Sequence, residues 1–130
     1  MKIDARPIGD KWLFFLPLGP STNKRTMPVR FGKRSVRQIL TTEARNYLSK
    51  IGFSLKKWRE GEPRFKPVST YHGIELWVIM PRRSCDPTNY EKVLFDALQK
   101  GGIVTNDRYL MPNYRGIAFD AKDPQVIFCL

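Results

Sequence analysis

Residues 68–80, VSTYHGIELWVIM, and residues 81–102, PRRSCDPTNYEKVLFDALQKGG, form the stretch that decides the fold. The first segment carries an apolar side chain at every second position from Ile74 onward, which predicts a long strand with one buried face. A proline ends the strand, and Asp86-Pro87 is typical of a helix start, because Asp accepts hydrogen bonds from the free amides of the first turn. This helix ends at its glycine pair. The predicted order is therefore strand, charged turn, helix.

A second helix is predicted upstream, from Thr42 to Trp58. A threonine can cap its first amides, and Glu43 favours the positive end of the helix dipole. Apolar side chains recur at steps of three and four residues and gather on one face: Ala44, Tyr47, Leu48, Ile51 and Leu55. The spacing predicts an amphipathic helix that packs on the core.

Short apolar runs elsewhere predict further strands at Trp12–Leu16, Ile103-Val104, Arg115–Phe119 and Gln125–Leu130. Turn-forming segments, including Met111-Pro112-Asn113, separate them. A chain of 130 residues is the usual size of one domain, so residues 1–130 are expected to form a single unit. The predicted fold class is α/β (α+β): a small single domain with a mixed β-sheet and two main helices.

The positive charge is large and concentrated. The chain has 23 Lys and Arg against 12 Asp and Glu, and 13 of the 23 lie between Lys24 and Lys66. Such a surplus is typical of a protein that contacts nucleic acid, although a ribosomal or merely soluble basic protein shares it. The candidate DNA contacts are Lys24, Arg25, Arg30, Lys33, Arg34, Arg37, Arg82 and Arg83.

Cysteine usage and the N-terminus exclude several classes of protein. Cys85 and Cys129 form no C-x-x-C motif, so neither a zinc site nor a disulfide framework is indicated. No segment has the apolar length of a signal peptide or of a membrane span. We therefore expect reduced thiols in a cytoplasmic protein with no membrane partner.

Polar groups suited to chemistry are concentrated in the stretch that decides the fold. Asn89, Lys92 and Asp96 are three and then four residues apart and share one helical face. Asp86 precedes that helix, and Asn106-Asp107 follow it. Phosphodiester hydrolysis uses a hard cation on oxygen ligands and a positive group for the developing charge, which carboxylates and a lysine can provide. The sequence contains no G-x-S-x-G, H-E-x-x-H, P-loop or Rossmann motif.

Each of these residues also has a purely structural interpretation. Asp86 is typical of a helix cap, Asp107 of the start of a turn, and Asp96 of an ion pair with Lys92 or Lys100 at four-residue spacing. The only histidine, His72, lies in the predicted strand and is more typical of a packed or surface residue than of a ligand.

The order and spacing of these residues resemble the signature of RusA-type Holliday-junction resolvases. That signature has an Asp, any residue, an Asp, an Asn, two further residues and a Lys, then Asp-Ala-Leu and a later Asp-Asp pair. Here the matching segments are Asp86–Lys92, Asp96-Ala97-Leu98 and Asn106-Asp107. Two upstream segments, Pro20–Asn23 and Leu40–Arg45, are also similar to the family's N-terminal half, so the resemblance covers most of the chain.

The resemblance implies a function and a set of roles. Asp86 and Asp107 would bind the metal, Lys92 would be the catalytic lysine, and Asn89 and Asp96 would support them. It further implies Mg²⁺, with Mn²⁺ as a substitute, and a homodimer that nicks opposing strands of a four-way DNA junction. Small resolvases of this kind are often encoded by bacteria or their phages.

Two positions depart from the family's pattern. Thr88 stands where the family has its second catalytic Asp, and Asn106 stands at the first residue of the Asp-Asp pair. Each replacement removes a negative charge, so the affinity for a divalent cation should fall. The sequence leaves open a slow nuclease, a nuclease that recruits Glu91 or Asp96, a non-catalytic junction-binding protein, and an RNA-binding module.

Overall fold

The computed structural model describes residues 1–32 and 35–130, and it contains two helices and two sheets. The strands are β1 Asp4–Ile8, β2 Lys11–Pro17, β3 Thr26–Phe31, β4 Ser35–Leu40, β5 His72–Met80, β6 Leu110–Phe119 and β7 Gln125–Cys129. The helices are α1 Thr42–Glu60 and α2 Glu91–Lys100, with short 3-10 turns at Thr22–Lys24, Pro87–Tyr90 and Asp107–Tyr109. The predicted class, a small α+β domain with a mixed sheet and two helices, is confirmed.

The main sheet has the strand order β1-β2-β7-β5-β6, and β3 pairs only with β4 in a separate hairpin. All neighbours are antiparallel except β5 and β6, which are parallel. Buried side chains of the two helices join one face of the main sheet in a single core. The most deeply buried large side chains in this core include Phe14, Phe128, Leu76, Ile51 and Leu98.

The two helices approach closely because glycines lie at their contact. A Cβ atom on Gly101 would lie 2.5 Å from the Cβ of Leu55, and a Cβ on Gly52 would lie 2.9 Å from the Lys100 side chain. The prediction of α1 is confirmed, with Thr41 as its N-cap: the threonine side chain accepts a hydrogen bond from the Ala44 amide. Contact between the helices fixes α2, which carries Lys92 and Asp96 of the predicted site.

Several predicted boundaries were wrong for identifiable reasons. The strand predicted from Val68 begins at His72, and Val68 instead forms a single bridge with Val104, so Ile103-Val104 is not a strand. The segment 111–113 belongs to β6 and is not a turn. Its proline is tolerated because β6 is an edge strand, where a missing N–H costs no ladder hydrogen bond.

The face of the sheet opposite the helices is apolar and open. Phe15, Ile127 and Trp77 lie side by side in register across β2, β7 and β5. A shallow depression of about 560 Å³ covers this outer face, lined by Ile8, Leu13, Phe15, Trp77, Val78, Ile79, Gly116, Ile117, Ala118, Ile127 and Cys129. In the described part of the chain no helix has the length and apolarity that crossing a membrane requires.

Candidate active site

Asp86 stands at the entrance to α2 and caps the 3-10 turn Pro87–Tyr90. Its Oδ1 atom accepts hydrogen bonds from the backbone N–H of Thr88 at 2.9 Å and from the Thr88 hydroxyl at 2.8 Å. The hydroxyl, and then the amide, lower the pKa of the Asp86 carboxyl by stabilising its charged form. The predicted cap is therefore confirmed, and it fixes an ionised, exposed carboxylate at this point.

Lys92 lies in the first turn of α2 between two carboxylates. Its Nζ atom is 3.0 Å from Oδ1 of Asp96 and 3.0 Å from Oδ2 of Asp107. Hydrogen bonds to Asp96 and then to Asp107 raise the pKa of Lys92. The predicted lysine is thus a firmly protonated ammonium that joins two other predicted residues, and its side chain remains half exposed.

Asp107 is held beside the exposed side of α2. Its backbone N–H donates to Oε1 of Gln99 at 2.8 Å. The preceding residue, Asn106, caps the 3-10 turn by accepting a hydrogen bond from the Arg108 amide at 3.0 Å. An uncharged side chain can provide this cap, so the Asn106 amide orients the turn that carries Asp107.

Asp96 forms a second ion pair. Both Nε and Nη2 of Arg25 bond to its Oδ2 atom, at 2.9 and 2.6 Å. The segment around Arg25 is also fastened at either side: the Thr22 hydroxyl donates to the Asn89 carbonyl at 2.8 Å, and the Thr41 hydroxyl donates to the Lys24 carbonyl at 2.7 Å. The two upstream segments that share the family's pattern are therefore attached to the site.

A further carboxylate lies at the first residue of α2. The Tyr114 hydroxyl donates to Oε1 of Glu91 at 3.1 Å. Burial, and then the charge of Glu91, raise the pKa of Tyr114, and the charge of Asp86 contributes as well. Glu91, which the sequence suggested as a substitute carboxylate, is thus bonded to Tyr114 on β6.

A groove of about 410 Å³ runs beside Asp86. Its walls come from the loop after β2, the start of α1, and the turn before α2. The lining residues are Leu18, Gly19, Pro20, Ser21, Asn23, Lys24, Glu43, Pro81, Arg82, Ser84, Cys85, Asp86, Asn89, Tyr90 and Pro124. The larger depression on the outer face lies elsewhere and contains none of the predicted site residues.

The predicted DNA contacts occupy different environments. Lys24 and Arg82 are exposed on the groove, and Arg30 is exposed on the hairpin. The Arg83 guanidinium lies 5.1 Å from the centre of the Phe119 ring, and Arg25 forms an ion pair with Asp96. Three positions cannot be placed in the site: Lys33 and Arg34 fall outside the described residues, as does the side chain of Arg37.

The carboxylates present set a limit on metal binding. Among residues 1–32 and 35–130, no group of three or more His, Cys, Asp or Glu side chains is arranged to hold a metal ion. Magnesium is commonly held by one or two carboxylates, with water and substrate phosphate completing its shell. The described part of the chain therefore offers such a cation at most two of these side chains at a time.

Local sequence patterns did not identify several residues of the site. Arg25 was predicted only as a DNA contact, and neither Gln99 nor Tyr114 was singled out. Arg25 and Asp96 are 71 positions apart in the sequence, so no periodicity or short motif links them. Gln99 extends the face of Lys92 and Asp96 by three residues, a spacing that could have suggested it.

Comparison with known proteins gives a family match that covers most of the chain. The model of the family described as endodeoxyribonuclease RusA matches residues 17–124. That range includes every predicted site residue, from Lys24 to Asp107. No curated protein gives a significant match to the chain.

Proposed function

The chain belongs to the endodeoxyribonuclease RusA family, and from that premise we propose that it is a magnesium-dependent endonuclease that resolves four-way DNA junctions by paired nicks during recombination and repair. The observation that carries the proposal is the position of Lys92, whose ammonium lies within 3.0 Å of Asp107 at the same helix that Asp86 introduces. Family membership alone does not carry the proposal, because a protein of the family could lack this contact between a lysine and a carboxylate.

Asp86 and Asp107 are the proposed metal-binding carboxylates. When Mg²⁺ is bound, or Mn²⁺ in its place, the cation polarises the scissile phosphoryl group and lowers the pKa of water. Thr88 keeps Asp86 ionised and holds its Oδ1 atom, which leaves Oδ2 as the free ligand oxygen. Asn106 and Gln99 orient the backbone of Asp107.

Lys92 is the proposed electrostatic catalyst. Its paired carboxylates keep it protonated at neutral pH, so it brings a fixed positive charge to the face where Asp107 lies. Negative charge develops on the phosphoryl oxygens during hydrolysis, and a preorganised cation stabilises it. The half-exposed side chain can reach a phosphate in front of the helix.

Basic residues on the groove are the proposed backbone contacts. Lys24 and Arg82 line the groove that contains Asp86, so a strand bound there would place its phosphates beside that carboxylate. The formal charge of +11 predicts affinity that falls steeply with salt, since neutralised phosphates release counterions. Arg30 and Arg83 extend the basic surface.

We further propose that two copies associate through the outer face of the sheet. A four-way junction has two equivalent strands to cut, which two sites related by a two-fold axis can reach together. The outer face is apolar, as an interface core needs to be, and Ile8 is 54% exposed there. In a two-fold contact this face would pack against the same face of a second copy, which is the partner that we propose.

Charges on the outer face agree with that partner. Asp4 and Arg6 form an ion pair at 3.2 Å, and the register places Lys11 and Glu75 on the same side of the sheet. These four side chains carry two charges of each sign, so together they add no net charge to this side of a strongly basic protein. It therefore attracts neither DNA nor a strongly acidic protein, and it can meet a copy of itself without repulsion.

A cleavage assay tests the nuclease function. The purified protein is incubated with an end-labelled four-way junction in Mg²⁺, in Mn²⁺ and in EDTA, beside Asp86→Asn and Asp107→Asn. Glu60→Gln is the matched control, because it makes the same charge change at an exposed position at the end of α1. We expect metal-dependent nicks from the native protein and the control, and none from the two site variants.

The second candidate is a junction-binding protein that has lost catalysis. The observation that favours it is the single hydroxyl at Thr88 in a site where the described residues provide no group of three acidic or metal-binding side chains. This candidate predicts salt-dependent junction binding that is equal with and without Mg²⁺, and no nicks. Nicks that disappear in Asp86→Asn would exclude it.

A further inference from the structure

The two carboxylate oxygens of Asp96 bind different cations. Nε and Nη2 of Arg25 donate to Oδ2, at 2.9 and 2.6 Å, which leaves Oδ1 to accept from Lys92 at 3.0 Å. We propose that Arg25 is a positioning residue that fixes Lys92 through Asp96, and is not a phosphate contact. This inference rests on the proposed function of Lys92.

The pair is sheltered, in contrast to the basic surface. The Arg25 and Asp96 side chains are 22% and 19% exposed, whereas that of Lys92 is 50% exposed. A guanidinium that binds DNA phosphates has to present its donors to solvent, and here two of them face a carboxylate inside the fold. Charge-assisted bonds of this length are strong and directional.

The backbone of Arg25 is held at both its N–H and its carbonyl. Its N–H donates to the Thr22 carbonyl at 3.2 Å, and its carbonyl accepts from the Thr41 amide at 2.9 Å. Thr22 is in turn bonded to Asn89 at the entrance to α2, and Thr41 caps α1. Arg25 therefore reaches Asp96 from a point fixed to both helices, as the positioning of a third side chain requires.

The four ion-paired side chains alternate in charge, and this alternation explains how Arg25 affects the position of Lys92. The order is Arg25, Asp96, Lys92, Asp107, with each cation between or beside anions. Without Arg25, the Asp96 carboxylate is free to turn and offer both oxygens to the ammonium. Lys92 would then be drawn toward Asp96 and away from Asp107 and the scissile phosphate.

Cleavage and binding measured separately distinguish the two roles. For Arg25→Ala we expect the single-turnover nicking rate at saturating protein to fall about ten-fold or more, with the junction Kd in EDTA and its salt slope within about two-fold of the native values. Lys24→Ala, which removes an exposed charge next door, should raise the Kd and reduce the salt slope by about one. Lys122→Ala, in the turn before β7, is the control that should change none of these.

The coupling to Asp96 has its own test. If Arg25 acts through Asp96, then Asp96→Asn combined with Arg25→Ala should be no slower than Asp96→Asn alone. Arg25→Lys keeps the charge but cannot bond twice to one oxygen, so it should recover only part of the rate. Should Arg25→Ala unfold, the same comparison is made with Arg25→Lys. If the rate losses of the two single variants multiply in the double variant, the inference is overturned.

A readout without DNA separates this inference from the proposed function. The side-chain ammonium of Lys92 is followed by nitrogen NMR, with its signal assigned by Lys92→Arg. We expect Arg25→Lys and Arg25→Ala to shift or broaden that signal alone among the lysines, even if the native protein cuts nothing. An unchanged Lys92 signal, or a raised Kd with an unchanged saturated rate, would show that Arg25 is not its positioning residue.

Discussion

The Thr88 hydroxyl donates a 2.8 Å hydrogen bond to Oδ1 of Asp86, at the position where the family's pattern has a second carboxylate. A carboxylate there would repel Asp86 and would need a cation to hold the two together. The hydroxyl instead stabilises the charged form of Asp86 and lowers the pKa of its carboxyl. The proposed metal site thus has one negative charge fewer than the family's pattern, and Asp86 is held ionised without a cation.

Restoring the carboxylate should strengthen metal binding. In Thr88→Asp the extra charge should lower the Mg²⁺ concentration for half-maximal nicking by several-fold, because cation affinity rises with ligand charge. A magnesium titration of junction cleavage measures this. Thr88→Asn is the matched neutral control and should need at least as much Mg²⁺ as the native protein. An Asp variant with an unchanged titration would show that position 88 lies outside the metal site.

Removing the lysine should affect catalysis far more than folding. Half-exposed ion pairs such as those of Lys92 contribute about 0–1 kcal/mol each, so Lys92→Ala should change the free energy of unfolding little. Loss of a preorganised stabiliser lowers rates by about 10²–10³-fold. Urea unfolding and single-turnover nicking measure the two effects. A large loss of stability with little loss of rate would mean that Lys92 is only structural.

The two cysteines should differ in reactivity. A hydrogen bond from the Tyr90 hydroxyl, and then from Arg82, lowers the pKa of the Cys85 thiol, while burial raises the pKa of Cys129. Cys85 should therefore form its thiolate, and react with iodoacetamide, at a lower pH than Cys129. Mass spectrometry after brief labelling across a pH series measures both sites.

Bound DNA provides the control for that experiment. Cys85 lines the groove beside Asp86, so a saturating four-way junction in EDTA should protect it from labelling, and linear RNA of equal length should protect it less. Faster labelling of Cys129 would contradict the local geometry. Equal protection by RNA would contradict the preference for junction DNA.

The outer face should control the oligomeric state. Ile8 is 54% exposed there, and Ile8→Lys places a charge in the proposed two-fold contact. We expect light scattering to give about twice the chain mass of 15.2 kDa for the native protein and the single-chain mass for this variant. Phe53→Lys is the control, since Phe53 is a 67% exposed apolar residue on α1. A native particle of single-chain mass would refute the dimer.

Local patterns predicted the parts of the fold that local physics determines. Periodicity placed α1 and the buried face of β5, and the four-residue spacing anticipated the ion pair of Lys92 with Asp96. These depend on side chains close in sequence. The β3–β4 hairpin and the entry of Pro112 into an edge strand were missed, because pairing and edge position are set by the rest of the sheet.

The candidate site likewise contains features that the sequence predicted and contacts that it did not. Asp86 as a cap was predictable from its neighbours, whereas the contact of Lys92 with Asp107 spans a turn and the contact of Arg25 with Asp96 joins the two halves of the chain. Composition predicted a basic surface and could not distinguish a cation on the groove from one committed to an internal carboxylate. Tertiary contacts alone make that distinction.

The most direct test compares a four-way junction with a linear duplex of the same sequence, each labelled on every strand in turn, under single-turnover conditions in Mg²⁺. The expected result is nicks at symmetrical positions on two opposing junction strands and none on the duplex. Tight binding of the junction without nicks, or equal cleavage of both substrates, would contradict it.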